Sequence, residues 1–165
     1  MRRSFGPMQA ATLAQLKRAL RERPAHELLD HCLRLAKHAR DNKELLTYLA
    51  LRADDEDGYI EEVKKEIDDD FWVVPRGNIW RTKRAIRKIV KALNKHVKFS
   101  GRKDTEVELR LHFLQRMRES KIKFRKNAVL NNIYEAQVKK TQAAYLKLHE
   151  DLQFDYGERV EALKS

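Results

Sequence analysis

The sequence predicts an all-α fold of six or seven helices packed as antiparallel hairpins, arranged either as a short α-solenoid of the HEAT-like kind or as an irregular bundle. Three observations carry that reading. Apolar residues recur at steps of three and four through most of the 165 residues, the period of a helix with one side turned to a core. All five glycines (Gly6, Gly58, Gly77, Gly101, Gly157) and all three prolines (Pro7, Pro24, Pro75) fall where those periodic stretches break, as expected of helices joined by short connections. No Asn-Gly turn occurs, so no hairpin signal argues for strands.

Seven elements follow from the periodicity. The first spans about 8–22 and turns Leu13, Leu16 and Leu20 inward. Pro24 opens the second, which runs to Ala39 with Leu28, Leu29, Cys32, Leu33 and Leu35 as its apolar face. Asp41-Asn42-Lys43-Glu44 resembles a capping box and starts the third, with Leu45, Leu46, Leu49 and Leu51. A fourth follows Gly58 and carries Tyr59, Ile60, Val63 and Ile67, and Phe71-Trp72-Val73-Val74-Pro75 then forms a buried strap. The fifth covers Asn78 to Val97. Thr105-Glu106-Val107-Glu108 reads as a capping box that starts the sixth. The seventh runs from Asn127 to Phe154, a rod of about 40 Å at about 1.5 Å per residue.

The fifth helix holds the main functional signal. Between Arg76 and Lys103 the chain has eleven Lys or Arg residues and no Asp or Glu. Ile79, Ile86, Ile89, Val90, Leu93 and Val97 form its apolar stripe, while Arg81, Arg84, Lys88, Lys91, Lys95 and Lys98 recur on the other side, flanked by Lys83 and Arg87. Like charges one turn apart repel by a few tenths of a kcal/mol per pair, so an anion alongside would be favourable. A nucleic-acid backbone is one such anion, because lysine and arginine release counterions from phosphates whatever the base sequence. The other is internal: 54–70 holds ten acids against Lys64 and Lys65. The two readings are separated by whether Glu61, Glu62 and Glu66 lie near Arg84, Lys88 and Lys91.

The expected nucleic-acid contacts are Arg81, Arg84, Arg87, Lys88, Lys91, Lys95, Lys98, Arg102 and Lys103, contacting DNA or RNA with little sequence selectivity. The alternative is a protein-interaction or structural module whose basic helix is neutralised by 54–70. The aromatics near the basic run (Trp72, Trp80, Phe99, Phe124) suit stacking on unpaired bases, although such residues more often build the core.

The remaining composition is mostly excluding. A net charge of +11 with 42% hydrophobic residues fits one domain over 1–165, with residues 1–7 as a flexible start. Cys32 is the single cysteine, which removes any disulfide framework and points to a reducing cytoplasm. No apolar run is long enough for a membrane span. His26, Glu27, Asp30, His31 and Cys32 crowd one stretch, with Glu27 and His31 one helical turn apart, but without a metal-binding signature; no metal and no cofactor are expected. Asp55-Glu56-Asp57-Gly58 has the middle of a calcium loop and the wrong ends, Ala53 and Lys64. No nucleophile motif or phosphate loop is present, so the reading leans away from an enzyme, and one assembled from distant residues stays open. A dimer through one face of the 127–154 helix is the expected self-association.

Leu35-Ala36-Lys37-His38-Ala39-Arg40 echoes Leu93-Asn94-Lys95-His96-Val97-Lys98, each followed by a capped leucine-rich segment, which suggests two related hairpins. The stretches 43–49, 58–67, Thr105-Glu106-Val107-Glu108-Leu109 and Leu148-His149-Glu150-Asp151-Leu152 together resemble an uncharacterised family of small helical proteins from Bacteroidota. That resemblance implies a helical fold and brings no functional residues with it.

Overall fold

The computed structural model describes residues 10–164, so the expected flexible start at 1–7 lies outside the described residues. The described residues form eight α-helices and two short 3-10 turns, with no strand among them: α1 (Leu13–Arg21), α2 (Ala25–His38), α3 (Arg40–Leu51), α4 (Glu56–Trp72), α5 (Ile79–Ser100), α6 (Lys103–Glu119), α7 (Ala128–Tyr145) and α8 (Glu150–Glu161). No described helix is long and apolar enough to cross a membrane. The chain divides into two compact units between Thr47 and Tyr48, inside α3.

The first unit has local caps and no core. Thr12 opens α1 with a reciprocal box: its hydroxyl accepts from the Gln15 backbone N–H while Gln15 Oε1 accepts from the Thr12 N–H at 2.9 Å. A single extended residue, Ala39, separates α2 from α3. The leucines expected to face inward do not: Leu13 is 85% exposed, and Leu16, Leu20, Leu29, Leu33, Leu35 and Cys32 are exposed as well. No described residue of this unit is buried. Periodicity identifies which side of a helix is apolar, and leaves open whether anything covers it.

The second unit is built around α6, which packs on α4, α5, α7 and α8. Val107, Leu109, Phe113, Leu114 and Met117 are fully buried, together with Thr105. The main core joins Leu109, Phe113, Leu114 and Met117 to Ile60, Val63, Ile67 and Phe71 of α4, Ile86, Ile89 and Leu93 of α5, and Leu130, Tyr134 and Val138 of α7. A smaller cluster of Val107, Leu111, Ala144, Leu148 and Val160 seats α8. At about 25 cal/mol per Å² of apolar surface buried, these residues supply most of the driving force for folding.

Polar contacts fix how the helices meet. Glu56, 8% exposed, accepts from Tyr48 OH at 2.8 Å and from the hydroxyls of Ser100 and Thr105 at 2.5 Å. Burial pushes its carboxyl up, and the three donors outweigh that and hold it below the usual carboxylate range. One side chain thereby ties the start of α4 to the end of α5 and the start of α6. Nearby, Tyr59 OH and His96 Nδ1 are 2.8 Å apart, and His96 Nε2 lies 3.2 Å from Glu66.

Several sequence expectations need correction. The seventh helix is two: α7 ends at Tyr145, and α8 starts after His149, whose side chain accepts from the Asp151 backbone. Much of its apolar face is occupied by the chain's own core, since Leu130, Val138, Thr141 and Leu148 are buried. Thr105 is not a cap, because α6 starts at Lys103 and the Thr105 hydroxyl is directed to Glu56. Asp41 lies inside the first turn of α3, where Arg40 and Glu44 pair at 2.8 Å. The fourth helix starts before Gly58, with Asp55 as its N-cap accepting from the Gly58 N–H at 3.0 Å, so the acid-rich quartet is a helix start. The expected strap begins as the end of α4, which stops at Trp72, with Phe71 and Val74 buried and Trp72 and Val73 exposed. The two echoed segments also differ: one spans the α2–α3 break and the other lies within unbroken α5.

Candidate nucleic-acid interface

α5 is 22 residues long and is defined at both ends by its own sequence. Asn78 caps the start, its side chain accepting from the Arg81 N–H at 3.1 Å. Gly101 ends it at a φ of +69°, the left-handed geometry that glycine adopts without a Cβ penalty. Thr82, Ile86, Ile89 and Leu93 are its buried residues, spaced by three and four, and they turn one side to the core. The expected stripe was close to this, except that Ile79 is 51% exposed.

The opposite side carries the cations. Trp80, Arg84, Arg87, Lys91 and Lys98 follow one another at helical spacing on a single face, with Arg81 and Lys88 beside them. All of these are exposed, and Lys95 is half-buried. Arg81, Arg84, Arg87, Lys91 and Lys98 have no acidic partner among the described residues. Lys88 reaches Asp70 at 3.5 Å and is 76% exposed, a contact of little energetic weight.

The two remaining expected contacts differ from the rest. Arg102 pairs with Asp104 through Nε at 3.1 Å and a second bond from its other nitrogen, and that bidentate contact, against some burial, holds the Asp104 carboxyl below its ordinary range. Lys103 pairs with Glu106 at 2.6 Å. Both charges are therefore largely satisfied within α6 and its cap.

The acidic segment is neutralised mostly elsewhere. Glu62 pairs with Arg52 at 3.0 Å, Glu61 with Lys64 at 2.8 Å, and Asp68 with His112 at 2.7 Å. Of Glu61, Glu62 and Glu66, the first two pair away from Arg84, Lys88 and Lys91, while Glu66 lies 3.2 Å from His96 on the same helix as those cations.

The aromatics divide. Phe124 is buried and Phe99 partly so, while Trp72 is 83% and Trp80 66% exposed. Arg84 sits over the Trp80 ring at 5.9 Å, within cation–π range. Trp80 had a legible signal, since it stands in helical phase with Arg84, Arg87 and Lys91 rather than with the isoleucines. A cleft of about 320 Å³ bounded by Leu111, Gln115, Arg118 and Arg159 lies away from α5. In the crowded histidine stretch Glu27 pairs with Arg23 at 3.0 Å, and no group of three or more potential metal ligands gathers among the described residues. No family model matches this chain, and no curated protein or solved structure is measurably similar to it.

Proposed function

We propose that this protein is a non-catalytic cytoplasmic binding module that holds a nucleic-acid phosphate backbone along α5. The observation that carries the reading is the row Arg81, Arg84, Arg87, Lys91 and Lys98, exposed and without acidic partners among the described residues. From Arg81 to Lys98 the row extends about 25 Å, at about 1.5 Å per residue. A linear polyanion can follow such a row and exchange condensed counterions for fixed cations. Nothing on this face is placed to read base edges, so binding is weakly selective for sequence. Lys88, Lys95, Arg102 and Lys103 flank the row and contribute less, the last two because their charge is already paired.

The test is fluorescence anisotropy with labelled oligonucleotides across a salt series. Contact with about four or more phosphates gives a log–log slope of about −3 or steeper. Lys91→Glu combined with Arg87→Glu flattens it by about two. Binding already lost below physiological salt, with no measurable slope, would refute the reading.

A second reading, a protein-interaction module, draws on a different observation. The apolar sides of α1 and α2 are uncovered at Leu13, Leu16, Leu20, Leu29 and Leu33, and such faces belong to helices that dock on partners. Its form with α5 neutralised by 54–70 draws on the Lys88–Asp70 contact at 3.5 Å and on His96 Nε2, 3.2 Å from Glu66.

A further inference from the structure

We infer that the strand held along α5 is unpaired, with bases stacking on Trp72 and Trp80 at the α4–α5 end of the second unit. The inference rests on the phosphate reading above and goes beyond it by naming the form of nucleic acid.

Tryptophan is large and apolar, and a pair left open to water calls for an explanation. Trp72 is the last residue of α4 and Trp80 the second of α5, so both flank the connection 73–78, together with exposed Val73 and Ile79. That connection is pinned. Val74 is buried at 5% exposure, its N–H bonds the Phe71 carbonyl, and the Thr82 hydroxyl donates to the carbonyls of Pro75 and Asn78. A held connection between the two tryptophan positions leaves less backbone freedom to lose on binding, which favours stacking.

The charge pattern says what covers the platform. Trp80 begins the face on which Arg84, Arg87, Lys91 and Lys98 continue, and Arg76 and Arg81 lie close to it in sequence with no acid between Arg76 and Lys103. An aromatic end joined to a cationic row is the arrangement that single strands require: bases stack on rings while the backbone follows the charge. A duplex has its bases already stacked and offers no free face to the tryptophans. An anionic membrane also attracts tryptophan and basic residues, but it is a plane. Here the cations run away from the rings along one helix axis instead of surrounding them.

The experiment compares the full chain with Trp72→Ala, Trp80→Ala, the double variant and Trp80→Leu, which keeps apolar bulk without the aromatic face. Each is titrated by anisotropy into a labelled twenty-nucleotide oligothymidylate, an oligouridylate and a duplex of equal length, and by sedimentation with vesicles containing phosphatidylserine. Expected is preference for the single strands, with each Trp→Ala weakening them about tenfold at unchanged salt slope. Trp80→Leu should behave like Trp80→Ala, and duplex affinity should move less than twofold. Both rings are exposed, so the variants keep their helical circular dichroism. Equal affinity for single strand and duplex, unaffected by the tryptophans, overturns this inference and leaves the phosphate reading in place. No binding to any oligonucleotide overturns both, as does tryptophan-dependent binding to vesicles alone with Trp80→Leu active.

Discussion

α5 and α6 are neighbours, and they use their cations in opposite ways. On α6 each arginine has a partner: Arg110 places Nε and Nη2 at 3.0 and 2.9 Å from Glu106 Oε1, Arg116 reaches Glu119 at 2.8 Å, and Arg118 donates to the Tyr134 hydroxyl and the Ala162 carbonyl. On α5 the face from Arg84 to Lys98 has no acid on its own helix. Acids close in sequence hold Arg110 and Arg116 in structural pairs, and α5 offers its cations no such acid. Those without a local acid remain at the surface, where their mutual repulsion costs a few tenths of a kcal/mol per pair.

The sharpest way to break this comparison is at Arg110, which is 4% exposed and also bonds Gln137 at 2.6 Å and Asn94 at 3.1 Å. Arg110→Ala leaves Glu106 and Gln137 without a buried partner and should cost about 3–5 kcal/mol in chemical denaturation. A cost under about 1 kcal/mol would mean that the α6 network is ornamental.

Acid comes next. Glu108 is held between Arg159 at 2.7 Å and Lys64 at 2.7 Å. Burial raises its carboxyl, and these two bonds outweigh that, so it stays below its ordinary range; Glu106, bonded by Lys103 and Arg110, behaves likewise. A carboxyl depressed in the folded state stabilises above its unfolded value of about 4.3 and loses that contribution as the pH falls further. Melting temperature should therefore drop as pH is lowered below about 4.5, and Glu108→Gln should make that drop shallower while destabilising at neutral pH. A pH profile identical to that of the parent chain would contradict the assignment.

The smallest effect belongs to α5. Lys91→Glu should change stability by less than about 0.5 kcal/mol, in the stabilising direction at low salt. The same substitution on a structural cation would be plainly destabilising, so equilibrium unfolding separates the two classes.

Much of this was legible from local signals. The fifth and seventh helices start where the sequence placed them, with Asn78 and Asn127 as their N-caps, and Gly101 ends α5. What failed had tertiary causes. Thr105 looks like a cap by spacing, yet its hydroxyl answers to Glu56, 49 positions away. The break after Tyr145 was hidden because Leu148 stays buried and keeps the apolar period going across it; the acids Glu150 and Asp151 in the first turn of α8 were the available signal. The leucines of α1 and α2 show the limit of periodicity, which assigns a side without supplying a partner. At the candidate site, the row of cations came from spacing alone. The separation of Arg102 and Lys103 from that row depended on Asp104 and Glu106, two and three residues further on, which the sequence displayed.

The chain contains two tryptophans, and both stand in water at one end of the second unit. Its intrinsic ultraviolet emission is therefore insensitive to the core: the native spectrum should already resemble that of free indole, and unfolding should shift it little. Iodide, drawn to the neighbouring arginines, should quench that emission more strongly than caesium does.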